Sequence, residues 1–97
     1  MRLKTIKGRV VPIFKDQGVI KAAIFGSFAT GENKKNSDID FLVKFQRLPS
    51  LLDLSRLKLK IEGKVGMDVD IITYDGLSPR LKKLILEEQQ IIYEKKT

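Results

Sequence analysis

At 97 residues with 42% apolar side chains, the chain has material for one hydrophobic core and is expected to form a single domain over residues 1–97. It contains no cysteine and no histidine, which excludes disulfides, thiolate and imidazole metal sites, cysteine nucleophiles and serine–histidine triads. The net charge of +7 draws anionic partners, but the basic residues are scattered without interleaved aromatics, so nucleic acid is a possible partner and not the favoured one.

The N-terminus lacks the apolar core of a secretory signal, and no later stretch approaches the roughly 18–20 apolar residues of a membrane span. A cytoplasmic protein without membrane contact is therefore expected. Leu3, Ile6, Val10, Ile13 and Phe14 recur at helical spacing and predict an amphipathic helix over residues 3–17. Pro12 falls inside this pattern and is expected to kink it or begin a second segment, with Gly18 as the stop. A strand follows over Val19–Phe25, then one helical turn over Phe28–Gly31 and a polar loop over Glu32–Asn36. Pro49-Ser50 opens the next element, and Ser50 with Asp53 suits a capping box. Leu51, Leu54, Leu57 and Ile61 form a helical stripe there, although residues 57–62 alternate well enough for a strand. The cap, the length and Gly63 as a stop favour helix. Met67–Tyr74 reads as a strand with Asp68 and Asp70 on one face. Ser78-Pro79 starts a last helix with Leu77, Leu81, Leu84 and Ile85 as its buried stripe, and Ile91–Tyr93 is a short final strand. The expected fold class is α/β (α+β), a small mixed sheet of three to four strands packed with helices.

The chemistry is concentrated between Lys21 and Val43. An apolar run (Ala22 to Phe25) enters Gly26-Ser27, and after the polar loop Ser37-Asp38-Ile39-Asp40 enters a second run, Phe41 to Val43. Side chains alternate along a strand, so Asp38 and Asp40 share a face while Ile39, Phe41 and Val43 turn to the core. Two carboxylates side by side repel unless a cation lies between them, and oxygen ligands suit a hard divalent ion such as magnesium. The Gly26-Ser27 turn offers backbone N–H groups and a hydroxyl, which suit phosphate oxygens. Carboxylates beside a phosphate-binding turn point to chemistry on a nucleoside triphosphate.

Gly26-Ser27 followed by Ser37 and Asp38-x-Asp40, each abutting a strand-like run, resembles the signature of the minimal nucleotidyltransferases, small members of the DNA polymerase β-like superfamily. The likeness extends over nearly the whole chain. In that superfamily a third acid on a neighbouring strand completes the site. Asp68 and Asp70 are both available, and Val69-Asp70-Ile71-Ile72-Thr73 resembles the family's third-acid strand, which favours Asp70.

The resemblance implies two-metal nucleotidyl transfer. Asp38, Asp40 and Asp70 would be catalytic and hold two Mg²⁺ ions, and Gly26, Ser27 and Ser37 would contact the nucleotide. The implied reaction moves AMP from ATP to a hydroxyl. Stand-alone domains of this kind often act as antitoxins that adenylylate a tyrosine of a HEPN-type toxin, so such a toxin is the implied partner. Two alternatives stay open: an antitoxin of weak activity that neutralises by binding alone, and a nucleic-acid-directed nucleotidyltransferase. Thr30 occupies the position where the family commonly has arginine, and only Lys34 or Lys35 stands near enough in sequence to replace that charge. For a protein acceptor, Phe28, Phe45 and Leu48 are expected to form an exposed apolar patch at the site mouth.

Overall fold

The chain runs α1 (Leu3–Asp16), β1 (Val19–Phe25), α2 (Ser27–Thr30), β2 (Ile39–Phe45), α3 (Leu51–Val65), β3 (Val69–Thr73), a 3-10 turn (Tyr74–Gly76), α4 (Pro79–Glu88) and β4 (Gln90–Glu94). The computed structural model describes residues 2–31 and 38–96, with Ser27 and Thr30 described by their backbone alone. The strands form one mixed sheet in the order β3-β2-β1-β4. β2 is antiparallel to β1 and parallel to β3, and β4 closes the other side antiparallel to β1. The architecture is the α/β class expected from the sequence.

One face of the sheet carries the core. Ala22, Ile24, Ile39, Phe41, Val43 and Val69 project onto it and meet Ile6, Val10 and Phe14 of α1 and Leu57, Ile61 and Val65 of α3. The Phe14 and Phe41 rings meet edge to face at 5.8 Å. On the opposite face the strand register lines up Ile91, Ala23, Leu42 and Ile72 in one row. Ala23 and Leu42 at its centre are fully buried, while Ile72 and Ile91 at the flanks are partly exposed.

Three local expectations are corrected. α1 runs through Pro12 without interruption. A proline there removes the N–H that Gly8 would receive and crowds its carbonyl. Both residues are exposed, so solvent can satisfy that carbonyl. α3 starts where expected: Ser50 Oγ accepts the Asp53 N–H at 3.1 Å, and the Asp53 carboxylate accepts the Ser50 N–H at 2.8 Å. Hydrogen bonding to the Ser50 backbone N–H, and next to its side chain, holds the Asp53 carboxyl below its ordinary range. The helix passes Gly63, however, and ends at Gly66, which takes the left-handed conformation at φ 68°. Its buried stripe is accordingly Leu57, Ile61 and Val65, and Leu51 faces solvent.

The third correction concerns α4. Ser78 caps it by accepting the Leu81 N–H at 3.3 Å, but no α4 residue is buried, and Leu81 and Leu84 are 52% and 53% exposed. The apolar spacing is present, yet α1 and α3 already occupy the core face of the sheet. α4 is instead held at its ends. The Tyr74 hydroxyl, just before it, donates to Gln89 Oε1, just after it, at 2.6 Å.

Candidate active site

Parallel pairing of β2 with β3 sets Ile39 opposite Val69 and Asp40 opposite Asp70. Because side chains alternate, the two carboxyls share the face away from α1 and α3. They are close enough to share a hydrogen bond, and the Asp40 carboxyl is pushed above its ordinary range. Burial is the main cause, followed by the charges of Asp70 and Asp38 and by that hydrogen bond. Asp38 lies exposed immediately before β2, near enough for its charge to act on Asp40. Asp68 precedes β3 in the same way, exposed, and its carbonyl accepts the Ile39 N–H at 3.1 Å.

The glycine turn sits against this pair. Phe25, the last residue of β1, stands opposite Asp40, and Gly26 follows in the left-handed region at φ 73°. A Cβ built on Gly26 would collide with Asp40 Oδ2, so a side chain here would strain the left-handed backbone and push the Asp40 carboxyl aside. The Gly26 carbonyl accepts the Ala29 N–H at 3.1 Å, which folds Ser27–Thr30 into the short α2. The fold therefore gathers Gly26, Asp40 and Asp70, with Asp38 at the rim. Ser37, Lys34 and Lys35 lie outside the described residues.

Among the described residues, no group of three acidic, histidine or cysteine side chains is arranged to hold a metal ion by itself. The donor set still suits magnesium. That ion is usually held by one or two carboxylates together with substrate phosphates, and a cation bound by Asp40 and Asp70 would offset their repulsion.

The expected apolar patch is not formed. Phe28 is a core residue and Phe45 packs against the core. Leu48 is 90% exposed but lies beyond Phe45, the end of β2 opposite Asp40, about 17 Å away by strand rise. One side chain that the sequence pattern does not single out holds the backbone of the strand that carries Asp70. Glu62 of α3 accepts the Val69 N–H at 3.1 Å, directly beside Asp70. Its only sequence signal is its place on the helix before the strand.

Residues 9–97 match the family described as Polymerase beta, Nucleotidyltransferase. A relative from Methanocaldococcus jannaschii, named as a candidate protein adenylyltransferase, is 48% identical over 88 residues, covering 91% of this chain and 95% of its own. A solved structure described as a candidate minimal nucleotidyltransferase is 40% identical, covers 93% of this chain and 95% of its own, and superposes with a TM-score of 0.81. The fold is also shared, at 16% identity and a TM-score of 0.75, with a chain of a complex between a tri-AMPylated Shewanella oneidensis HEPN toxin and an MNT antitoxin. That likeness covers 95% of this chain and 72% of the other. The chain belongs to the polymerase β-type nucleotidyltransferase family, and is a nucleotidyltransferase.

Proposed function

We propose that this nucleotidyltransferase is an Mg²⁺-dependent adenylyltransferase that moves AMP from ATP to a tyrosine hydroxyl of a HEPN-type toxin and thereby acts as an antitoxin. The observation that carries the reading is Asp40 opposed to Asp70 on adjacent parallel strands, with side-chain-free Gly26 against Asp40. The names of the relatives support the adenylyl group and the protein acceptor. ATP is available in the cytoplasm, where the proposal places the reaction. No helix among the described residues is long and apolar enough to cross a membrane.

In this mechanism Asp38, Asp40 and Asp70, together with the triphosphate, would hold two Mg²⁺ ions. Bound there, the ions would neutralise charge on the triphosphate and lower the pKa of the acceptor hydroxyl. Backbone N–H groups at Gly26-Ser27, with the hydroxyls of Ser27 and Ser37, orient the β- and γ-phosphates so that the α-phosphorus lies in line with the acceptor. The acceptor oxygen forms a bond to the α-phosphorus while the bond to the bridging oxygen breaks, and pyrophosphate leaves. Asp70 takes the hydroxyl proton.

The test is incubation with labelled ATP and MgCl₂ beside the HEPN-type product of an adjacent gene, followed by intact mass. The reading expects a gain of one or more AMP units on a tyrosine. Extension of a free nucleotide or an RNA end, with the protein unmodified, would replace it with the nucleic-acid-directed alternative.

A further inference from the structure

We propose that Glu62 is a positioning residue that sets the height of Asp70 beside Asp40; this rests on the adenylyltransferase reading of the same site. The peptide between Asp68 and Val69 presents its two polar groups to opposite sides of β3. The Asp68 carbonyl faces β2, where it accepts the Ile39 N–H at 3.1 Å. In a trans peptide the carbonyl and the N–H point in opposite directions, so the Val69 N–H faces away from β2. β3 is an edge strand, and among the described residues no further strand lies on that side. The Glu62 carboxylate takes the N–H at 3.1 Å, and a hydrogen bond to a charged acceptor is about twice as strong as a neutral one.

Both ends of this link are anchored. Glu62 follows the fully buried Ile61, and its carbonyl accepts the Gly66 N–H at 2.8 Å at the end of α3. The Val69 side chain is buried in the core. Asp70 is the next residue. An edge strand is bonded on one side only, and displacement along β2 would carry Asp70 out of its place opposite Asp40. Glu62 ties that strand to a helix packed on the core. Aspartate, one methylene shorter, would keep the charge and lose the reach, whereas glutamine would keep the reach and an acceptor oxygen.

The test measures Mn²⁺ affinity by electron paramagnetic resonance in the presence of AMP-PNP, with Tm measured alongside. Glu62→Ala and Glu62→Asp are expected to weaken Mn²⁺ binding about tenfold, and Glu62→Gln by no more than about twofold. Should Glu62→Ala fail to fold, the contrast between Asp and Gln decides. A lowered Tm with unchanged Mn²⁺ affinity in Glu62→Asp would make Glu62 structural only and overturn the proposal. So would a Glu62→Gln variant as weak as Glu62→Asp, since an acceptor oxygen at full reach would then not be enough to hold Asp70 in place. Asp70→Asn in the same series tests the underlying reading separately. If it leaves Mn²⁺ affinity untouched, the site assignment falls, and the role of Glu62 falls with it.

Discussion

Gly26 meets two demands at a single Cα: a left-handed backbone and the close approach of the Asp40 carboxylate. Gly18 meets only the first, because it has φ 79° and nothing near its missing side chain. The pair therefore separates conformation from site geometry. Gly18→Ala is expected to cost about 1–2 kcal/mol, read as a lower Tm, with AMP transfer retained. Gly26→Ala should cost at least as much and also displace Asp40, lowering transfer by about a hundredfold, the scale of a misplaced reacting group. Equal transfer by the two variants would mean that the Asp40 contact has no catalytic consequence.

Asp40 itself yields a pH dependence. Its carboxyl titrates above the ordinary range in the folded state, so the folded chain binds that proton more readily than the unfolded chain does. The ionised group thus opposes folding at pH values above its folded-state pKa, and the penalty fades as pH falls from that raised pKa to the ordinary carboxylate value. Asp40→Asn should raise the metal-free Tm at pH 7, and the gain should shrink on acidification. Calorimetry with a chelator present checks both. The closeness of Asp38 to Asp40 was legible from residue spacing, although Asp38 lies just before β2 and not in it. The tight contact of Gly26 with Asp40 was not, because it depends on how β1 meets β2.

Among the elements, local chemistry was most readable where it acts locally. The Ser50–Asp53 box decided helix against strand for α3, and the hydrogen bonds are formed on both sides of it. Apolar spacing was a poorer guide to burial. α4 has a regular stripe and buries none of it, because spacing reports a shared face and not what covers that face. The Tyr74–Gln89 hydrogen bond brackets the helix in sequence. Lys21 Nζ sits 5.2 Å from the Tyr74 ring, and burial with the Glu94 charge pushes the phenol pKa up to about 12. The hydroxyl is therefore protonated and donating throughout the neutral range. Tyr74→Phe should cost about 1 kcal/mol and speed amide exchange selectively in α4. Unchanged exchange there would show that the helix is held by something else.

For the whole molecule, the decisive step is a pairing between distant segments. Each strand's two faces could be read locally, but the register of β2 on β3 passes through α3 and has no local signal. That register determines whether Asp68 or Asp70 faces Asp40, and it sets Asp70 there while Asp68 lies before the strand. The two acids are near neighbours of the same residue type on the same strand face, so they make a matched comparison. The most direct measurement is the rate of AMP transfer to the protein acceptor by Asp70→Asn and Asp68→Asn side by side, with folding verified by Tm. The account expects Asp70→Asn to lose on the order of a thousandfold, the scale for removing one group that stabilises transition-state charge, and Asp68→Asn to stay close to the unmodified chain. Comparable rates for the two variants, or a greater loss from Asp68→Asn, would contradict it.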